Sequence, residues 1–227
     1  MNDKQRVGHF AAEQVKPGMI VGLGTGSTAN HFIEALAKRY HEESLPVQTV
    51  ASSVVSAIKA KQVGLPLLAI EHIDGLDVYV DGADEVSPDM TLLKGRGADL
   101  VREKLLARAS REFWVLIDYS KRVERIGQNY PIPLEVIPFA WQMVQRLISQ
   151  VGGQSRLRPS GNGDGLAVTS HGSLVLDVDF PYIPDIHELN EQLNSISGIV
   201  EHGIFSKLAT TVFTGGDGRV EVQTAED

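Results

Sequence analysis

Three short segments gather hydroxyls, carboxylates and lysines at spacings that could serve a small phosphorylated ligand. The first is Gly24-Thr-Gly-Ser-Thr28. Set between a strand and a helix, such a run offers free backbone N–H groups, side-chain hydroxyls and the positive end of a helix, which suit a phosphate or carboxylate. It also fits the bare dinucleotide pattern Gly24-x-Gly26-x-x-Ala29. That fingerprint requires an acid about 20 residues on, at the end of the next strand. Ala51-Ser52-Ser53 stands there instead, and no lysine precedes Ser27 or Thr28 as a triphosphate-binding loop would need. A tight turn without a ligand is the plain alternative for these glycines.

The second segment, Asp81-Gly-Ala-Asp-Glu85, follows the apolar run Val78 to Val80. Its carboxylates therefore fall at the C-terminal edge of a parallel sheet, where ligands of such folds bind. Packed acids repel one another, so they face water, a metal, a cation or sugar hydroxyls. By composition alone a solvated loop is an equal reading. Neither the alternating-acid calcium pattern nor a histidine pair at ligand spacing occurs, which argues against a metal. Lys94-Gly-Arg-Gly97 comes next, with glycines that let backbone approach a ligand and a lysine able to balance Asp81 and Asp84. Glu103 lies in Arg102-Glu-Lys104, and its residues alone favour a solvent-facing helix with weak ion pairs. The third segment, Asp118-Tyr-Ser-Lys121, again trails an apolar run, Phe113 to Ile117. Loops of this chemistry suit a polyhydroxylated, phosphorylated small molecule better than a lipid, peptide or nucleic acid.

Alternating strands and helices must position these loops. Helical spacing of Val7, Phe10, Ala11 and Val15 is followed by a strand at Met19 to Val21, the glycine turn, and a helix with Ala29, Phe32, Ile33 and Leu36 on one face. A strand at Val47 to Ala51 precedes a helix whose apolar face is read as Val54, Val55 and Ile58, stopping at Gly64. Short runs at Leu67 to Ile70, Val78 to Val80 and Phe113 to Ile117, with a helix from about Ala98 to Arg108, complete the alternation. The pattern implies an α/β, Rossmann-like domain with a mostly parallel sheet over 1–129. Pro131, Pro133 and Pro138 then break the chain, and 130–204 read as a smaller α+β domain. Its expected parts are a short run at Leu134 to Ile137, a helix at Phe139 to Gln150 and a hairpin of Gly165 to Ser170 with Ser173 to Val178. A helix near Asp185 to Leu193 and a strand near Gly198 to Glu201 follow. Residues 205–227 are expected to return to the main sheet.

The chain has 227 residues, no cysteine and a net charge of −8. Disulfides, thiolate metal sites and cysteine nucleophiles are excluded, and the acidity argues against nonspecific nucleic-acid binding. No apolar run reaches the roughly 20 residues that span a bilayer, and the first residues carry neither signal-peptide nor transit patterning, so no membrane role is expected.

Taken in order, GTGST, the Ser52-Ser53 segment, VDGADE, LLKGRGA followed by REK, IDYSK and PLEVIP resemble the motif series of type A ribose-5-phosphate isomerases. Each is weak alone. Their order and compatible spacing, from near the N-terminus to beyond Phe205, carry the resemblance. It implies a cytoplasmic homo-oligomer, a dimer first among sizes, without metal or cofactor. It also implies interconversion of D-ribose 5-phosphate and D-ribulose 5-phosphate by carboxylate-mediated proton transfer, in the non-oxidative pentose phosphate pathway. Substrate binding is assigned to Thr25, Gly26, Ser27, Thr28, Asp81, Gly82, Ala83, Asp84, Lys94, Gly95, Arg96, Gly97 and Lys121. Glu103 becomes the catalytic base, replacing its surface role, with Asp81, Asp84 and Lys94 assisting. Ser52 to Ser56 lacks an acid found in some members, with Val54 in that stretch; Arg96, Asp99 and Ile204 to Ala209 also depart from the pattern. A related sugar-phosphate deaminase or lactonase could use the same turn and carboxylates, and a noncatalytic sensor would need only the turn. The Lys94-to-Lys121 series and Glu103 in register favour the isomerase.

Overall fold

Residues 2–225 are described by the computed structural model of the protein. In chain order they form α1 (Asp3–Glu13), β1 (Ile20–Leu23), α2 (Ser27–Glu42), β2 (Gln48–Ala51), α3 (Val54–Gln62), β3 (Leu67–Leu68) and β4 (Leu76–Asp81). Next come β5 (Glu85–Val86), β6 (Leu92–Leu93), α4 (Leu100–Ala109), β7 (Ser110–Asp118), β8 (Ile132–Val136) and α5 (Trp141–Gln150). The remainder holds β9 (Gln154–Leu157), β10 (Leu174–Asp179), α6 (Ile186–Ser195), β11 (Ile199–His202), β12 (Ile204–Phe205), β13 (Thr211–Gly216) and β14 (Arg219–Thr224). The chain divides into two units. Residues up to Ala83, Arg102–Arg122 and those from Lys207 onward make the first; Asp84–Val101 and Val123–Ser206 make the second. Compared with the division expected from the sequence, the segment from Asp84 to Val101 lies with the second unit, because β5 and β6 join β12 in a three-stranded antiparallel sheet.

In the first unit a seven-stranded sheet runs β14-β13-β7-β4-β1-β2-β3. Every neighbouring pair is parallel except β13 with β14. Its central strands, β1, β4 and β7 from Phe113 to Ile117, are almost continuously apolar and buried, as strands covered on both faces must be, whereas the edge strand β14 is mostly polar and exposed. Val21, Leu23, Val78, Val80, Trp114 and Leu116 share one core with Val7 and Ala11 of α1 and Phe32, Ile33 and Leu36 of α2. Asn2 and Gln5 close a capping box at the start of α1, satisfying backbone donors that would otherwise be orphaned. Residues 211–224 return to this sheet. Helix α3 corrects the sequence reading: Val54, Val55 and Ile58 point to solvent, and the buried positions are Ser56 and Ala60. Its stop is as expected, with Gly64 at φ 75° just after the C-cap residue Val63.

The second unit holds a four-stranded antiparallel sheet, β11-β8-β10-β9. One face packs Leu134, Val136, Leu176 and Val178 against Val144 and Ile148 of α5 and Leu189 and Leu193 of α6. The hairpin expected from 165 to 178 is only half present. Residues 165–170 make single bridges, Pro159 to Leu166 and Val168 to Leu174, and the full partner of β10 on that side is β9. Pro133, taken from the sequence as a chain breaker, lies inside β8 opposite Asp177.

Candidate active site

In the first unit the C-terminal ends of β1 and β4 meet through one carboxylate. Asp81 is fully buried. Its Oδ1 accepts the backbone N–H of Thr25 at 3.0 Å and of Gly82 at 2.8 Å, and the Tyr79 hydroxyl donates to Oδ2 at 2.5 Å. Gly24 is forced by this clamp: a Cβ there would lie 2.1 Å from Asp81 Oδ1. The turn then enters α2 through Gly26, the N-cap residue at φ 118°, which supplies no side-chain cap. Backbone donors at the helix start are thereby left to a ligand or to water, and the helix end attracts an anion. Thr25 Oγ1 lies 2.6 Å from Ser53 Oγ and 3.3 Å from Ser52 Oγ, so the two serines standing where a dinucleotide site needs an acid brace the turn. Lys4, on α1, donates to Ser27 Oγ at 3.2 Å and adds a cation beside the turn. Lys4 also lines a cleft of about 580 Å³ with Asp118, Tyr119 and Ser120, the residues leading to Lys121. Lys121 itself closes a short 3-10 turn that Asp118 caps.

Glu103 and Lys104, on α4, are only 6% and 2% exposed, so the solvent-facing reading of Arg102 to Lys104 is wrong for both. Burial pushes the Tyr79 phenol well above its ordinary value, and the negative charges of Asp81 and Glu103 push it the same way. Tyr79, Asp81 and Glu103 thus form one electrostatic cluster beneath the anion turn.

In the second unit the loop from Lys94 to Gly97 is pinned through its backbone. The Lys94 N–H donates to Gly203 O at 2.9 Å, and Lys94 Nζ lies 5.7 Å from the centre of the Phe205 ring. Gly95 adopts φ 101°, and a Cβ there would strike Leu100 and Pro133. The Arg96 N–H donates to Asp84 Oδ2 at 3.3 Å, and its guanidinium sits 4.2 Å from the Tyr130 ring centre. Asp84 is half-buried, with its own N–H on Leu93 O. Asp99 accepts from the Ser170 hydroxyl at 2.8 Å.

The first unit therefore gathers Thr25, Gly26, Ser27, Asp81, Gly82 and Glu103, and the second gathers Asp84, Lys94, Gly95 and Arg96. Sequence reasoning missed Lys4, Tyr79 and Lys104. Tyr79 was hidden in an apolar run, and Lys4 lies on a helix legible only through its apolar spacing. Among the described residues no group of three His, Cys, Asp or Glu side chains could hold a metal ion, and no helix is long and apolar enough to cross a membrane.

A mostly parallel α/β sheet with an anion turn and buried carboxylates at its C-terminal edge, joined to an α+β unit, defines a sugar-phosphate enzyme class more narrowly than either part alone. Residues 48–219 match the family ribose 5-phosphate isomerase A (phosphoriboisomerase A). The ribose-5-phosphate isomerase A of Thermosynechococcus vestitus is 41% identical over 223 residues, covering 97% of this chain and 94% of that one. The ribose 5-phosphate isomerase A structure from Methanocaldococcus jannaschii superposes with a TM-score of 0.92 at 38% identity, over 97% of both chains. A D-ribose-5-phosphate isomerase solved in complex with phospho-erythronic acid gives 0.94 at 35% identity, over 99% of this chain and all of the other. The chain belongs to the ribose 5-phosphate isomerase A family.

Proposed function

We propose that this protein interconverts D-ribose 5-phosphate and D-ribulose 5-phosphate through an enediolate. The carrying observation is that Glu103, in a chain of this family, is buried beside Tyr79 and Asp81 and not on a solvated helix face. In the aldose-to-ketose direction Glu103 takes the proton from C2 of the open-chain sugar, and the C2–H electron pair becomes the C1–C2 double bond. The same carboxyl returns the proton to C1, while the hydroxyl proton on O2 passes to O1. Lys94 stabilises the negative charge that develops on oxygen, as an electrostatic donor must where charge appears only during reaction. Asp84 holds sugar hydroxyls. Asp81 joins it in binding and proton relay and also sets the turn from below. The phosphate lies at Thr25 to Thr28 with Lys121 and Lys4, remote from the reacting carbons, so its binding energy orients them. The relative bound to phospho-erythronic acid supports a phosphorylated sugar chain as ligand. The cysteine-free composition supports a reducing, cytoplasmic setting, and a homodimer is the proposed assembly.

Glu103→Gln keeps the side chain's size and removes the base. In a coupled assay for ribulose 5-phosphate, turnover should fall at least about 100-fold. Turnover near that of the parent would exclude Glu103 as the base.

A further inference from the structure

Arg158 lies just beyond β9, outside every segment assigned to the substrate. Its backbone extends the sheet: its N–H donates to Val175 O and its O accepts from Ala167 N–H, both at 2.9 Å. Its guanidinium is divided between two tasks. Nε lies 3.0 Å from Asp177 Oδ2 and 3.2 Å from Oδ1, with Nη2 on Oδ1, making a forked ion pair to β10. Nη1 donates to the carbonyls of Gly95 at 3.1 Å and Arg96 at 3.3 Å. The Arg158 and Asp177 side chains are 16% and 12% exposed, so water competes little for this fork. All of these groups belong to the second unit.

We propose that Arg158 is a positioning residue for the isomerisation, acting through the Lys94 to Gly97 loop. The inference rests on the reading that Lys94 stabilises the enediolate. Two consecutive carbonyls aimed at one planar cation fix the orientation of the peptides on either side of Arg96. That matters because the loop is not held by regular pairing. It passes through Gly95 at φ 101° and Ala98 at φ 61°, conformations that an unsupported chain leaves readily. Asp177 neutralises the guanidinium, so Arg158 acts as a rigid fork and not as a charge for the substrate. Lysine cannot replace it, since three donors on one nitrogen cannot serve a carboxylate in fork geometry and two carbonyls together.

The test is steady-state kinetics on ribose 5-phosphate for Arg158→Ala, Arg158→Lys, Lys94→Ala and the Arg158→Ala/Lys94→Ala double variant. Displacing a loop that carries a charge-stabilising group should lower kcat of Arg158→Ala about 10- to 100-fold. KM should shift less than about threefold, because the phosphate is gripped elsewhere. General loss of fold would also lower apparent kcat at unchanged KM by reducing the active fraction, so the double variant makes the distinction: a loss of that kind adds to the Lys94→Ala defect, whereas a positioning role does not. Arg158→Lys, which keeps the charge opposite Asp177 and guards against misfolding of the alanine variant, should retain most of the defect. The double variant should be no slower than Lys94→Ala alone. Parent-like kcat in Arg158→Lys, or additive losses in the double variant, would overturn the inference. Parent-like kcat in Lys94→Ala would overturn the reading of the loop itself, and the inference with it.

Discussion

At the scale of single residues, Asp81 and Tyr79 show how a motif's chemistry depends on partners that its letters do not name. The acidic loop after β4 was legible as carboxylates at a sheet edge, but not that Asp81 is enclosed by Thr25, Gly82 and Tyr79, because Tyr79 reads as one more residue of a buried strand. Glu103 and Lys104 were illegible for a related reason. A charged triplet on a helix is nearly always solvated, and only long-range packing buries it. The Tyr79 phenol makes this cluster testable by pH. The unfolded chain releases that proton near pH ~10, whereas the folded protein holds it to a higher pH. Stability from this group is full below about pH 10 and is lost as pH rises toward the folded value, by up to about 1.4 kcal/mol per pH unit. Tyr79→Phe should therefore cost about 1–3 kcal/mol at neutral pH, for the donor lost from Asp81. Its stability should also fall less steeply than the parent's between pH 10 and 11, as read by urea unfolding. Equal slopes would mean that Tyr79 titrates as an ordinary tyrosine.

Among elements, the long apolar strands and the capped helices were legible, while short strands and helix faces were not. β5 and β6 have two residues each, too few for any periodicity. Helix α3 carries apolar residues at a proper helical spacing, yet buries the side with Ser56 and Ala60, because Ser53 must cap the helix and meet Thr25. In the second unit, 165–170 looked like the better strand because Leu166, Ala167 and Val168 are apolar, whereas β9 is Gln-Ser-Arg-Leu, mostly polar, and takes the edge. Strand β8 carries a conflict that can be relieved. Glu135 is buried and stands directly opposite Glu201 of β11. Its Oε1 accepts from the Thr169 hydroxyl at 2.7 Å, and its Oε2 makes no hydrogen bond among the described residues. Like charges facing across a ladder destabilise it, as does a buried acceptor without a donor. Glu135→Gln keeps the acceptor for Thr169 and removes the charge, so it should stabilise by about 1 kcal/mol and raise Tm by roughly 2–4 °C. A fall in Tm on calorimetry would show that the carboxylate's charge is needed.

For the whole molecule, the proposed homodimer has a surface suited to it. Phe139 is 82% exposed, Met143 on α5 and Val200 on β11 are also exposed, and the Gly198 carbonyl just before β11 accepts from Ile137 N–H, which ties the start of β11 to the segment that carries Phe139. Large apolar side chains gathered in one region commonly mark an interface. Sedimentation equilibrium should give a mass near twice the chain's 24.7 kDa, and Phe139→Asp should shift it toward a single chain. A single-chain mass for the parent would remove the dimer. The strand order of the first unit has a consequence during synthesis. β7 sits between β4, already made, and β13, which begins at Thr211, 93 residues after β7 ends at Asp118. At about 5–20 residues per second, the outer edge of β7 waits roughly 5–20 s on the ribosome with its backbone donors and acceptors unmatched. Such an edge is a template for pairing with another nascent chain. A chain that stops before residue 211 leaves this edge of β7 unpaired, so the wait for β13 is an interval in which the growing sheet is open to such pairing.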